Sequence, residues 1–133
     1  MDLQARLLAA HTVHRRAPPA VRGGLSPAAR RRVLECIETK LDGAVSLSDL
    51  AEAACLSEFH FARMFKASFG VSPHAWVMQR RLERARQLLA QGRLSLDDVA
   101  RRCGYAHLSH LNAALKRAGL ASAAMVRDAA RLR

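Results

Sequence analysis

Apolar residues recur along the chain at three- and four-residue spacing, and the breaks between these runs divide it into short helices. Leu3, Leu7 and Leu8 predict a short helix within residues 1–16 that looks incomplete. It gives way at Ala17-Pro18-Pro19 to a linker that closes on Gly23-Gly24, so a globular module is expected from about Leu25. Ser26-Pro27 has the form of a helix start, serine as cap and proline in the first turn. Val33, Ile37 and Leu41 then share one face, with Gly43 as the expected stop. Ser46 to Ala51 opens a second helix, with Asp49 three residues after Ser46 in the manner of a capping box. Ser57 starts another helix that runs to Gly70 and spaces Phe61, Phe65 and Phe69 by four. Two helices this close in sequence cannot be collinear and form a tight helix-turn-helix. Ser72-Pro73 starts a long helix reaching Gln91. Its stripe is Trp76 or Val77, Leu82, Ala85, Leu88 and Leu89, and its other face is Arg80, Arg81, Arg84 and Arg86.

The pattern then repeats. Ser95-Leu96-Asp97-Asp98-Val99-Ala100 restates Ser46-Leu47-Ser48-Asp49-Leu50-Ala51, Leu111 to Lys116 echoes Phe61 to Lys66, and Gly119 echoes Gly70. The chain carries an internal duplication of a helix-turn-helix, with the long helix between the copies. The second helix of such a motif enters the DNA major groove and touches base edges near its N-terminal end. In the first copy, Phe61, Met64, Phe65 and Phe69 take the core face. Phe59, Ala62, Arg63 and Lys66 are left outward. Phe59 can pack on a thymine methyl and Arg63 can fork onto guanine. The competing reading makes Phe59 a further core contact and Arg63 a solvated charge. In the second copy, a helix from about His107 to Arg117 turns Leu108, Ser109, Asn112, Ala113 and Lys116 outward. Asn112 suits adenine, and the bland alternative is a helix that only touches phosphate or supports the other.

Charge sharpens this picture. The 133 residues carry 22 Lys and Arg against 11 Asp and Glu, a net charge of +11, and only Lys40, Lys66 and Lys116 of the basic residues are not arginine. Such a surface calls for a polyanion: nucleic acid first, an anionic membrane surface second. Arginine favours the first because its planar fork binds phosphate and guanine bidentately. Lys66, Lys116, Arg80, Arg81, Arg101 and Arg102 are the candidate phosphate contacts. No run of about 20 apolar residues offers a membrane span, and the N-terminal stretch lacks the form of a secretory signal. Cys36, Cys55 and Cys103 are odd in number and set in apolar helical sequence, the expectation for reduced core residues of a cytoplasmic protein. His11/His14 and His107/His110 have a spacing some metal ligands use, but neither pair has a second pair beside it. No metal, cofactor or catalytic constellation is expected, and the chain is not read as an enzyme.

These motifs, from Leu47-Ser48-Asp49-Leu50-Ala51 through Leu56 to Lys66, Phe69-Gly70-Val71-Ser72-Pro73, Arg81-Leu82-Glu83-Arg84-Ala85, Leu88-Leu89, Val99-Ala100 and Cys103-Gly104-Tyr105, resemble the C-terminal DNA-binding module of AraC/XylS-type bacterial transcription regulators. The resemblance implies an all-α, homeodomain-like fold of seven helices. It implies a tail and linker over 1–25 and a module over 26–133, divided into lobe one at 26–72, a linker helix at 73–91 and lobe two at 93–133. It also implies base reading of adjacent major-groove segments by Phe59, Ala62 and Arg63, and by Leu108, Ser109 and Asn112. Double-stranded DNA is the implied partner, with RNA polymerase a second candidate. The departures all fall in the second half. Leu111 and Leu115 stand where the family has Phe, Ala113 where it has Arg, and Ala118-Gly119-Leu120-Ala121-Ser122 is one residue short of the family's stretch before the last helix. A monomer with no small-molecule effector of its own is expected for this chain. The alternatives are a DNA-binding fragment of a larger ligand-responsive regulator, or a protein-interaction or membrane-surface module that has lost base reading.

Overall fold

The computed structural model describes residues 23–132. The helix expected within residues 1–16, most of the linker, and His11 and His14 lie outside the described residues. Within them the chain is all-helical, as expected: α1 (Pro27–Lys40), α2 (Leu47–Ala54), α3 (Glu58–Phe69), α4 (Pro73–Gln91), α5 (Leu96–Arg102), α6 (Leu108–Arg117) and α7 (Ala123–Arg131). The helix starts follow local chemistry. The side-chain oxygens of Ser46, Ser57, Ser95 and Ser122 accept from the backbone N–H three residues on, satisfying donors that a first turn otherwise leaves open. Three helices are followed by a left-handed residue: Cys55 closes α2 at φ +60, Gly70 closes α3 at φ +80 and Gly92 follows α4 at φ +68, whereas α5, α6 and α7 close on residues of negative φ. The expected stop at Gly43 is displaced. Helix α1 ends at Lys40, and Gly43 is not among the positive-φ glycines.

The described chain forms two compact units. One takes the residues through Lys40 together with Val45–Val77, and the other takes Leu41–Ala44 together with Met78 onward. The division falls inside α4, so the long helix is not a unit of its own. The first unit is built on aromatics. Phe61, Phe65 and Phe69 stack along α3 at centroid distances of 5.7 and 4.4 Å, and Trp76 of α4 packs 4.9 Å from Phe69 and edge-on to Phe65 at 6.0 Å. Val33, Leu34 and Ile37 of α1 and Leu50, Ala51 and Ala54 of α2 are buried in the same unit. Ring pairs at these spacings add to the burial of their area.

The second unit is aliphatic. Ala85 and Leu89 of α4, Val99 and Ala100 of α5, Leu111 and Leu115 of α6 and Ala123 of α7 are buried together with Cys103 and Tyr105. Leu111 and Leu115 thus occupy the places that Phe61 and Phe65 hold in the first unit, with complete burial in both cases. The cysteines divide differently from the expectation of three core residues. Cys103 is buried and Cys36 half-buried, but Cys55 is exposed and lies just past α2 at φ +60. All three are free thiols.

Candidate nucleic-acid interface

In the first unit, α2 and α3 make the helix-turn-helix. The turn is tight because Cys55 takes the left-handed conformation and its N–H donates back to the Glu52 carbonyl, while Leu56 N–H reaches the Ala51 carbonyl. Ser57 then caps α3, its oxygen accepting from His60 N–H at 3.2 Å. Burial of Phe61, Phe65 and Phe69 fixes the rotation of α3 and leaves its opposite stripe in solvent. Phe59 is 75% exposed, so it is not a further core contact. The guanidinium carbon of Arg63, one turn on, lies 5.8 Å from the centroid of the Phe59 ring. A cation over an aromatic face at this distance is attracted to it, and the i,i+4 spacing lets the pair form within one helix. Ala62 is half-buried beside them, and Lys66 is exposed on the next turn.

In the second unit, α5 and α6 repeat the arrangement, with Gly104 at φ +85 where the first copy has Cys55. A side chain there would also collide: a Cβ on Gly104 would lie 2.6 Å from both Arg81 Nε and the Leu41 carbonyl oxygen. Helix α6 begins after His107, which supplies no side-chain cap. His107 and His110 stand edge to face at 5.3 Å, both exposed. Among the described residues no group of three or more His, Cys, Asp or Glu is gathered as a metal-binding set.

Several residues expected at an interface do other work. Leu108 is half-buried and packs on the aliphatic core, because its position in the first turn of α6 flanks the buried stripe of Leu111 and Leu115. Asn112 is drawn inward: its Oδ1 accepts from Ala123 N–H at 2.8 Å, satisfying the first open donor of α7. An asparagine reads adenine with its oxygen and its NH2 together, so this oxygen is already committed. Arg80 is only 7% exposed and pairs with Glu83 at 3.0 Å, which removes it from the phosphate candidates. Arg81 is also corrected. Its Nε donates to the Leu41 carbonyl at 3.2 Å and its Nη2 donates to the Gly43 carbonyl, holding the segment that follows α1. Ser109, Lys116, Arg101 and Arg102 are exposed, with Arg101 paired to Asp98 at 2.6 Å. His60 and His110 stand beside these residues and are not singled out by the helical spacing. Each is the third residue of its motif's second helix and each is exposed, a correspondence visible once Phe61 is set against Leu111.

Known proteins give this geometry a lineage. A family model described as "Helix-turn-helix domain" matches residues 50–128. A probable transcriptional regulator, LumQ, of Photobacterium leiognathi is 35% identical over 81 residues, 61% of this chain and 33% of that protein. A putative AraC-like transcription regulator of Streptomyces lividans is 33% identical over 105 residues, 77% of this chain and 34% of its own length. The chain therefore spans about a third of the length of these curated relatives. The DNA-binding domain of AdpA, a global transcriptional factor solved in complex with a target DNA, superposes with a TM-score of 0.73 at 30% identity, over 81% of this chain and 96% of that one. With a duplicated helix-turn-helix in the sequence, seven helices in the structure and a family match over more than half its length, the chain belongs to the AraC-like family of helix-turn-helix transcription-regulator domains.

Proposed function

We propose that this chain binds double-stranded DNA selectively and serves as the DNA-contacting part of a transcription regulator. The observation that carries the reading is the Phe59–Arg63 pair: a large apolar ring standing in solvent on the outward stripe of α3, with a guanidinium beside it. Leaving such a ring exposed forgoes burial worth roughly 1.5–3 kcal/mol, a cost that a groove with thymine methyls returns. Arg63 supplies the fork for guanine O6 and N7, and Lys66, on the next turn, suits a phosphate. The AdpA domain, with the same fold and bound to its target DNA, supports the reading. One chain per site is the proposed stoichiometry, and RNA polymerase is the second partner that action at a promoter would bring within reach.

The test is binding to duplex fragments selected from random genomic DNA. If about six phosphates are neutralised, affinity falls about 10³-fold between about 50 and 200 mM salt. Arg63→Ala costs about 1–3 kcal/mol on the selected site and relaxes choice at one base pair. Lys66→Ala weakens all sequences alike with a shallower salt slope. A flat salt response, or equal affinity for anionic vesicles and duplex DNA, overturns the proposal.

A further inference from the structure

The two copies of the motif have diverged in a consistent direction. With Phe61 set against Leu111, the outward positions Phe59 and Arg63 of the first reading helix correspond to Ser109 and Ala113 of the second, whereas Lys66 corresponds to Lys116. The second copy has lost both the ring and the guanidinium and has retained the ammonium. Of the other candidate base readers there, Leu108 packs on the core and the Asn112 oxygen caps α7, which leaves Ser109 and His110 exposed on the first turn of α6 with neither a large apolar ring nor a guanidinium fork beside them. In the helix before it, Glu52 and Ala53 of the first copy are replaced by Arg101 and Arg102. That exchange turns an acidic edge into a basic one on the helix that crosses the sugar-phosphate backbone in motifs of this kind.

The charges of the two units follow the same division. The described residues of the first unit carry six basic side chains (Arg30, Arg31, Arg32, Lys40, Arg63 and Lys66) against five acidic ones (Glu35, Glu38, Asp49, Glu52 and Glu58). In the second unit eleven basic side chains, ten arginines and Lys116, stand against only Asp42, Glu83, Asp97, Asp98 and Asp128. Among the described residues the excess of positive charge lies in the unit whose motif has lost the ring and the guanidinium. Arg86, Arg93, Arg102, Lys116 and Arg117 of that unit are all exposed.

We infer that the second unit grips the duplex by its phosphates without reading its bases, leaving sequence choice to Phe59 and Arg63 of the first. The inference rests on the DNA-binding reading above and adds to it a division of labour: affinity and salt dependence reside in one unit, selectivity in the other. Phosphates are the chemistry this surface fits: its exposed arginines lie off the outward stripe of α6, where Ala113 stands in the place of Arg63, and a cation placed on the sugar-phosphate backbone brings charge but no discrimination among sequences.

The experiment compares the full chain with an Arg102→Gln, Lys116→Gln, Arg117→Gln triple variant on the selected duplex and on a random duplex of equal length. The triple variant loses about 0.9 from the salt slope for each contact removed, and at least roughly tenfold in affinity at 100 mM salt, on both duplexes alike. The ratio of selected to random affinity stays within about twofold, while Arg63→Ala collapses that ratio by roughly tenfold or more and shifts the slope by about one at most. A base-by-base substitution profile of the unaltered chain, which decides the matter even if the triple variant fails to fold, shows information in one segment of the protected site and tolerance in the rest. Two segments of equal information, or a triple variant that loses preference rather than affinity, overturns the inference while leaving the DNA-binding reading intact. A chain that binds neither duplex overturns that reading, and this inference with it.

Discussion

Cys55 and Gly104 occupy the same place in the two copies of the motif, and both hold positive φ. Glycine takes that conformation without strain, whereas a residue with a Cβ pays about 1 kcal/mol or more. Cys55→Gly is therefore expected to raise stability by up to about 1 kcal/mol, the relief of strain being partly offset by the extra freedom glycine has when unfolded. Urea denaturation measures it, and a destabilised variant would refute the strain argument. The same residue governs thiol chemistry. Cys55 is exposed, while burial raises the Cys103 thiol to about 11, with Arg84 and Arg81 opposing the shift. Because the thiolate is the reactive form, alkylation at neutral pH takes Cys55 first and leaves Cys103 intact until the protein unfolds. Loss of the fast-reacting thiol in Cys55→Gly checks the assignment.

Helix α7 depends on a partner outside itself. Ser122 caps it locally, its oxygen accepting from Met125 N–H at 3.4 Å, and Asn112 of α6 satisfies Ala123 N–H from the neighbouring helix. Asn112→Ala removes that acceptor from the N–H of Ala123, a buried residue, and is expected to cost about 1–3 kcal/mol of stability. Its effect on the ratio of selected to random duplex affinity is expected to be smaller than that of Arg63→Ala. A binding titration beside a thermal melt separates the two. If Asn112→Ala leaves the melt unchanged and erodes selectivity more than Arg63→Ala, its side chain reads bases rather than holding α7. The starts of α2 and α5 are reinforced by ion pairs, from α1 in the first case and from within the helix in the second. Asp49 stands behind Ser46 and 3.2 Å from Lys40, and Asp98 stands behind Ser95 and 2.6 Å from Arg101.

Those two carboxylates contribute to how the molecule meets acid. Asp49 is held below the ordinary carboxylate value chiefly by the Ser46 side chain, then by Lys40, and Asp98 chiefly by Arg101, then by Ser95. A carboxylate whose folded value lies below its unfolded value contributes stability that is fully present above about pH 4 and is lost as pH falls through the folded value. Protonating acids also raises the positive charge of a chain that already carries +11, which adds self-repulsion to the compact state. The melting temperature should fall between about pH 5 and 2. The fall should be shallower in an Asp49→Asn, Asp98→Asn double variant, which no longer has those two carboxylates to lose. Superimposable acid limbs for parent and variant would remove these two residues from the account.

The duplication, the helix positions and the core-facing stripes were legible in the sequence because each is dictated locally. Serine oxygens reach their own first turns, and a four-residue rhythm of Phe61, Phe65 and Phe69 or Leu111 and Leu115 admits one buried face. The outward Phe59, Arg63 and Lys66 followed from the same rhythm, since a filled core face leaves the opposite stripe to solvent. What local pattern could not decide was the use of polar and flanking residues whose partners are distant in the chain. Arg81 hydrogen-bonds carbonyls 40 and 38 residues earlier, Asn112 serves a helix that starts eleven residues later, and Leu108 leans onto a core assembled from α4, α5, α6 and α7. An arginine or asparagine is the same in sequence whether it faces phosphate or a buried carbonyl. Only the packed chain determines which acceptor or donor lies within hydrogen-bonding reach, because a polar group at a partly buried position must find a partner there or leave its desolvation uncompensated.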